Sequence, residues 1–158
     1  MSARNVSELI GDAVRTGAVA TAATTAAASL FGKLEEGESI ASLNAVSHIV
    51  WGDKAARHEE ASMKYTLPGV ALNTAAVTGW AGVYELTFGG RRRPQTVGGA
   101  LAGGAVVSAL AYVTDYYVVP QRFTPGFEKR LSNTSLAGIY AVLAVGLGVG
   151  SWMRGNRR

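Results

Sequence analysis

The chain has 158 residues, no cysteine, four prolines and 20 glycines, and its 15 Lys+Arg against 11 Asp+Glu leave a formal charge of +4. The lack of cysteine excludes a disulfide scaffold, a thiolate zinc site and a thiol nucleophile, and 48% hydrophobic residues argue against a chain that stays unfolded. Charged residues make up only 16%, against about 25% in an ordinary soluble domain, so where they stand becomes the informative question.

Four stretches carry no charge at all: Thr16 to Gly32, Tyr65 to Tyr84, Pro94 to Thr114 and Leu131 to Met153. A helix rises about 1.5 Å per residue, so about 20 residues cross a hydrocarbon layer. Each stretch therefore reads as a transmembrane helix, near residues 13–32, 67–89, 96–119 and 132–153. The expected fold is all-α: one domain over residues 1–158, a polytopic membrane bundle of four transmembrane helices. The first stretch is mostly alanine and threonine, and the mean hydropathy of the chain is only +0.16. Those two facts keep a buried soluble bundle as the competing reading. A signal peptide fits residues 1–29 poorly, because Glu8 and Asp12 stand where a basic segment belongs and the apolar run lacks leucine.

Between the first and second spans, Ile40, Leu43, Val46, Ile49, Val50 and Trp51 would line one side of a short helix. About twelve residues cannot cross a bilayer, so this helix is either interfacial or re-entrant. His48 and Asp53 are its polar candidates at the outer surface. A histidine can titrate or bind a ligand, but this one is alone, since His58 shares no helical face with it. Residues 53–64 read as a solvated charged helix or turn. The second span holds Asn73, Thr74, Thr78 and, near its inner end, Glu85. The third carries the pair Gly99-x-x-x-Gly103, with Gly104 and Ser108 on a small-residue stripe that ends at Asp115. Phe123-Thr-Pro-Gly-Phe127 is a turn signal. The fourth span repeats the small-residue spacing at Gly146 and Gly150. Such spacings let helix backbones approach closely in lipid, where association rests on packing.

With four spans, the N-terminus, the 90–95 turn and the C-terminus share one side. Arg91, Arg92 and Arg93 crowd a very short turn there, and Arg154, Arg157 and Arg158 crowd the last residues. Positive charge in short loops marks the cytoplasmic side, so both termini are expected in the cytoplasm. Anionic lipid headgroups would be drawn to the same clusters. An ionisable group inside a span is by default a functional hypothesis. Arg15 lies at a depth similar to Glu85, which makes an Arg15–Glu85 ion pair available. Asp115 falls near the opposite face, with Lys64, Arg122 or His48 as expected partners. Glu85 and Asp115 thus cannot share a proton, which removes the simplest acid–base pair. They are either two structural ion pairs or two ends of a polar path.

No phosphate-binding loop, no Gly-x-Ser-x-Gly elbow and no His-Glu-x-x-His helix occurs. The isoelectric point near 9.6 does not signal nucleic acid, because the arginines hug span ends and no aromatic-interleaved basic face appears. No cofactor and no metal is expected.

Asn44-Ala-Val-Ser-His48-Ile-Val-Trp51-Gly52-Asp53 resembles the motif of a group of small uncharacterised proteobacterial inner-membrane proteins. Tyr65-Thr66, Trp80-Ala-Gly-Val-Tyr84-Glu85, Asp115-Tyr116 and Pro120-Gln-Arg122-Phe-Thr-Pro125-Gly126-Phe127-Glu128 are similar too. The resemblance covers most of residues 40–130. It implies a Gram-negative inner membrane and four spans, and no activity. The expectation is a non-enzymatic packing or interaction component whose partners are membrane lipids, other membrane proteins or further copies of itself. A small proton-linked transporter or channel subunit using Glu85 and Asp115 is the alternative. A membrane enzyme with His48 and Asp53 as acid–base groups stands third, because no nucleophile stands beside them.

Overall fold

In the computed structural model, which describes residues 5–89 and 96–155, every regular element is helical. Four long helices form the body: α1 (Val6–Glu36), α4 (Thr66–Thr87), α5 (Val97–Val113) and α6 (Asn133–Gly155). Two short ones, α2 (Ala41–Val46) and α3 (His48–Trp51), lie between α1 and α4. The expected turns at 90–95 and at the two chain ends, with Arg4, Arg91 to Arg93, Arg157 and Arg158, fall outside the described residues.

Local sequence sets the ends of these helices. Asn5 caps α1 by accepting the Glu8 N–H at 2.8 Å, and the Glu8 carboxylate accepts the Asn5 N–H at 3.3 Å. This reciprocal box satisfies donors that a helix start leaves open. Gly37 ends α1 in the left-handed region at φ 81°, donating to the Lys33 carbonyl at 3.1 Å. Pro68 sits in the first turn of α4, where no intrahelical N–H is needed. Thr96 caps α5 by accepting the Gly99 N–H at 3.1 Å. Beyond Val113, α5 widens into a π-helical turn over Thr114–Val118 that carries Asp115.

The long helices run up, down, up, down, and α1 sits between α4 and α6 while α5 lies mainly on α6. Gly146 faces Ala20 of α1, and a Cβ built on it would come within 2.7 Å of the Ala20 Cα. On the other flank of α6, a Cβ at Gly148 would lie 2.8 Å from the Ala100 carbonyl oxygen of α5, and one at Gly104 would collide with the Ala144 carbonyl. The Tyr84 hydroxyl closes the ring by donating to the Ala100 carbonyl at 3.0 Å. Ala20, Val77, Ala81, Tyr84, Val107, Leu143 and Leu147 pack in the middle. Of the sequence's packing candidates, Gly103 meets the Phe88 ring of α4 and Gly150 meets Thr16. Gly99 is exposed in the first turn of α5 and touches only its own cap Thr96, so the Gly99–Gly103 pair does not form one contact within the chain.

The short helix expected over residues 40–52 is broken in two at Ser47, and Ala41 to His48 are all buried. It folds back as a cap over the open end of the bundle rather than lying on a surface. Gly69 admits the Leu43 carbonyl against α4, and Ser42 donates to the Ala28 carbonyl of α1 at 2.9 Å. Leu43 and Val46 pack with Phe127, Leu131 and Ile139. Residues 53–57 form a single 3-10 turn with Ala55 and Ala56 buried, and the rest of the expected charged segment is exposed.

Two helical segments, Val97–Val118 and Asn133–Gly155, are long and apolar enough to cross a membrane. α1 is diluted by alanine and threonine, and α4 by Asn73, Thr74, Thr78 and several glycines.

Because the seams of α6 leave no room for a Cβ, Gly104→Val and Gly146→Val should each cost about 1–3 kcal/mol by overpacking. Gly98→Val, where nothing stands within 4 Å, should leave stability nearly unchanged. Thermal denaturation of the three purified variants in one detergent checks this contrast.

Candidate functional site

The most concentrated polar chemistry lies where the start of α1 meets the ends of α4 and α6. Asp12 and Thr16 are one turn apart on the inner face of α1, and Ser151 and Arg154 are one turn apart on α6. Arg154 reaches the Glu85 carboxylate with Nη2 at 2.7 Å and the Asp12 carboxylate with Nη1 at 3.4 Å. The Thr16 hydroxyl donates to the other oxygen of Glu85 at 2.6 Å. Asp12 is fully buried, Glu85 is 1% exposed, and the Arg154 side chain is 8% exposed. A guanidinium presents a planar fork of donors, which suits it to hold two carboxylates at once.

The arginine that reaches Glu85 is thus Arg154, whereas Arg15 points outward on the exposed face of α1. Helical phase decides the matter. Asp12 and Thr16 share the face that looks at α4 and α6, and Arg15 is turned away from it. Neither Asp12 nor Arg154 stood out in the sequence. The usable signal was that the last turn of α6, with Ser151 and Arg154 three apart, falls level with Glu85.

At the opposite end, Asp115 sits in the π-helical turn and accepts the Tyr140 hydroxyl at 2.6 Å. Lys64, Arg122 and His48 are not its partners. Lys64 lies over the rings of Trp51 and Tyr65 at 5.2 and 5.4 Å, Arg122 is exposed, and both ring nitrogens of His48 face backbone carbonyls. Those carbonyls belong to Ala45 at 3.0 Å and Gln121 at 3.5 Å. Tyr140 packs edge-on against Tyr112, with ring centres 5.2 Å apart. Asn73 lies between the two ends and donates to Thr25 at 3.3 Å. Glu85 and Asp115 stand at opposite ends of the bundle and share no contact.

The cap is held by charge at its rim. Lys129 pairs with Asp53 at 2.8 Å, and Arg130 bridges Glu36 at 2.7 Å and Glu59 at 3.2 Å. Glu35 accepts the Ser132 N–H at 2.8 Å and the Ser132 and Ser135 hydroxyls at 2.5 Å, which ties the end of α1 to the start of α6. These serines hold its carboxyl below the usual range, and the Lys129 ammonium does the same for Asp53. Asp53 is exposed and His48 is buried, so the two do not form an acid–base pair. Asn44 donates to the His58 and Glu60 carbonyls at 2.8 and 3.0 Å and accepts the Thr66 hydroxyl. The polar residues of the Asn44-x-x-Ser-His48 segment therefore serve the cap's own backbone.

Comparison with protein-family models, curated proteins and solved structures finds no match for the chain.

Replacing Arg154 by methionine leaves two carboxylates buried without their guanidinium and should cost about 3–5 kcal/mol. Arg15→Ala should stay within about 0.5 kcal/mol of the parent, and chemical denaturation followed by circular dichroism compares them. A lowered carboxyl contributes stability that is complete above its ordinary value, near 4.5 for Glu35, and lost as pH falls through the folded value. Acid titration of the melting temperature should accordingly be shallower for Glu35→Gln than for the parent.

Proposed function

We propose that the chain is an integral inner-membrane protein, a four-helix bundle with both termini cytoplasmic, acting by packing and interaction rather than catalysis. One observation carries this reading. Between Thr16 and Gly32, Thr66 and Tyr84, Val97 and Val113, and Asn133 and Met153, every exposed side chain on the four long helices is uncharged. The ionised groups near these segments turn inward instead, to the Asp12–Arg154–Glu85 cluster. A protein surrounded by water places charge the other way round. In lipid an inward charge needs an internal partner, and here it has one. The likeness of Asn44–Asp53 to the proteobacterial group supports the same compartment.

The interaction part of the proposal rests on two outward grooves that flank α6. One, about 350 Å³, lies against α1 and is lined by Val19, Ala23, Val142 and Val145. The other, about 440 Å³, lies against α5 with Ala105, Ala109 and Ala137, and Ala141 borders both. Such shallow apolar grooves suit a neighbouring helix or lipid chains. Proton-linked transport is the second reading. It is favoured by Asp115, a half-buried carboxylate with a tyrosine as its hydrogen-bond donor. Against it, Glu85 is clamped by Arg154 and Thr16, the arrangement of a fixed ion pair.

Alkaline carbonate extraction of a Gram-negative host expressing the chain should leave it in the membrane pellet. A C-terminal fluorescent fusion should glow, and a phosphatase inserted at 58–62 should be active. Release into the soluble fraction would overturn the membrane assignment. Ala141→Trp, which fills both grooves from outside the core, should abolish cross-linked complexes at an unchanged melting temperature. If wild-type proteoliposomes dissipate an imposed pH gradient and Glu85→Gln or Asp115→Asn stops it, transport takes first place.

A further inference from the structure

Asp115 is a half-buried carboxylate that no lysine, arginine or histidine among the described residues reaches within ion-pair distance. Its hydrogen-bond donor is the neutral Tyr140 hydroxyl at 2.6 Å, and its charged neighbour is Glu128, close enough to repel it. Glu128 in turn is held by the Thr124 hydroxyl at 2.5 Å and by Tyr116 at 3.5 Å, again without a cation. A carboxylate removed from water without a countercharge is costly. The chain provides none here, but it does provide space.

Asp115 lines a cavity of about 50 Å³ inside the bundle, together with Thr24, Asn73, Trp80 and Tyr140. Thr24 and Asn73 are buried side chains, 2% and 7% exposed. Thr24 gives its hydroxyl hydrogen to the Ala20 carbonyl at 2.9 Å, and Asn73 gives an amide hydrogen to Thr25. Both donors are therefore engaged elsewhere, which leaves the hydroxyl oxygen and the amide oxygen as acceptors. Oxygen-only donors suit hard cations. Among the described residues no three His, Asp or Glu converge as a metal site, and one carboxylate balances one positive charge. A proton would also neutralise Asp115, but a proton needs no cavity, and Tyr140 spends its hydrogen on stabilising the ionised form.

We infer that this cavity is a binding site for a small, partly dehydrated monovalent alkali cation, with Asp115, Asn73 and Thr24 as oxygen donors. The site goes beyond the packing role, and it rests on interior geometry whatever covers the outer faces of the helices.

Trp80 on the cavity wall gives a direct signal. The full chain carrying Trp51→Phe and Trp152→Phe, purified in detergent, retains Trp80 as its sole tryptophan. Sodium chloride titrated against choline chloride at fixed pH and ionic strength should change Trp80 emission saturably and raise the melting temperature. Potassium chloride ranks ion size in the same assay. Asp115→Asn should abolish the response, and Asn73→Ala should weaken it at least tenfold, both judged folded by circular dichroism. If Asp115→Asn does not fold, Asn73→Ala and the salt-dependent melting of the unsubstituted chain decide. Identical emission and melting in all three salts overturns the inference, as does a response that survives Asp115→Asn. Emission that follows pH and ignores the salts gives the cavity to a proton instead, and also overturns it.

Discussion

The closeness of α6 to two neighbours at once is the constraint from which the rest follows. Gly146 and Gly150 bring α6 onto the backbone of α1, and one flank over, Gly148 and Ala144 bring it onto α5. Two glycine positions, a little more than half a turn apart, give one helix two backbone-to-backbone seams. Helices at that distance leave little volume for large side chains, and the interior is accordingly rich in alanine, with Tyr84 and Leu147 as its largest members. Seams this close also fix rotation. Because α1 and α6 cannot turn relative to each other, Asp12, Thr16, Ser151 and Arg154 arrive on facing surfaces.

The two ends of the bundle then solve different problems. At one end three helix ends converge on a single guanidinium, so the charges are internal and neutralise one another at short range. At the other the long helices splay, and the gap is filled by α2, α3 and the 120–131 segment. Ser42, Asn44, Ser47 and His48 are all buried there, and each spends its polar atoms on backbone carbonyls or neighbouring hydroxyls. Buried polar groups satisfied in this way specify one arrangement of the cap rather than a family of them. Ion pairs at the rim, Arg130 with Glu36 and Glu59 and Lys129 with Asp53, reinforce it where water competes and each is worth less.

Helix existence and extent were legible in the sequence because charge avoidance is a one-dimensional signal. The 132–153 stretch and the observed Asn133–Gly155 differ by a residue or two, as do 67–89 and Thr66–Thr87. The first helix proved longer at both ends than its charge-free core, because Asn5 and Gly37 are capping signals that lie beyond that core. Partner choice was less legible. Pairing Glu85 with Arg15 used depth alone, and depth ignores which way a helical face points. Deciding between Arg15 and Arg154 requires the phase of α1 relative to α6, which the seams set and no local pattern records. The break of the 40–52 helix at Ser47 was hidden for a related reason. Its apolar spacing describes one face, whereas the folded cap buries every face.

The Asp12–Arg154–Glu85 cluster also orders events in time. Asp12 leaves the ribosome more than 140 residues ahead of the arginine that pairs with it, roughly 7 to 30 s at about 5–20 residues per second. Through that interval α1 and α4 each present an acidic group to their surroundings, and neither can settle at its final depth without a cost. The last helix to be made is the one that makes the first two affordable. Assembly of this protein is thus a closing step, completed from the C-terminus, and a chain truncated before residue 154 retains most of its apolar surface while lacking the bond that ties its helix ends together.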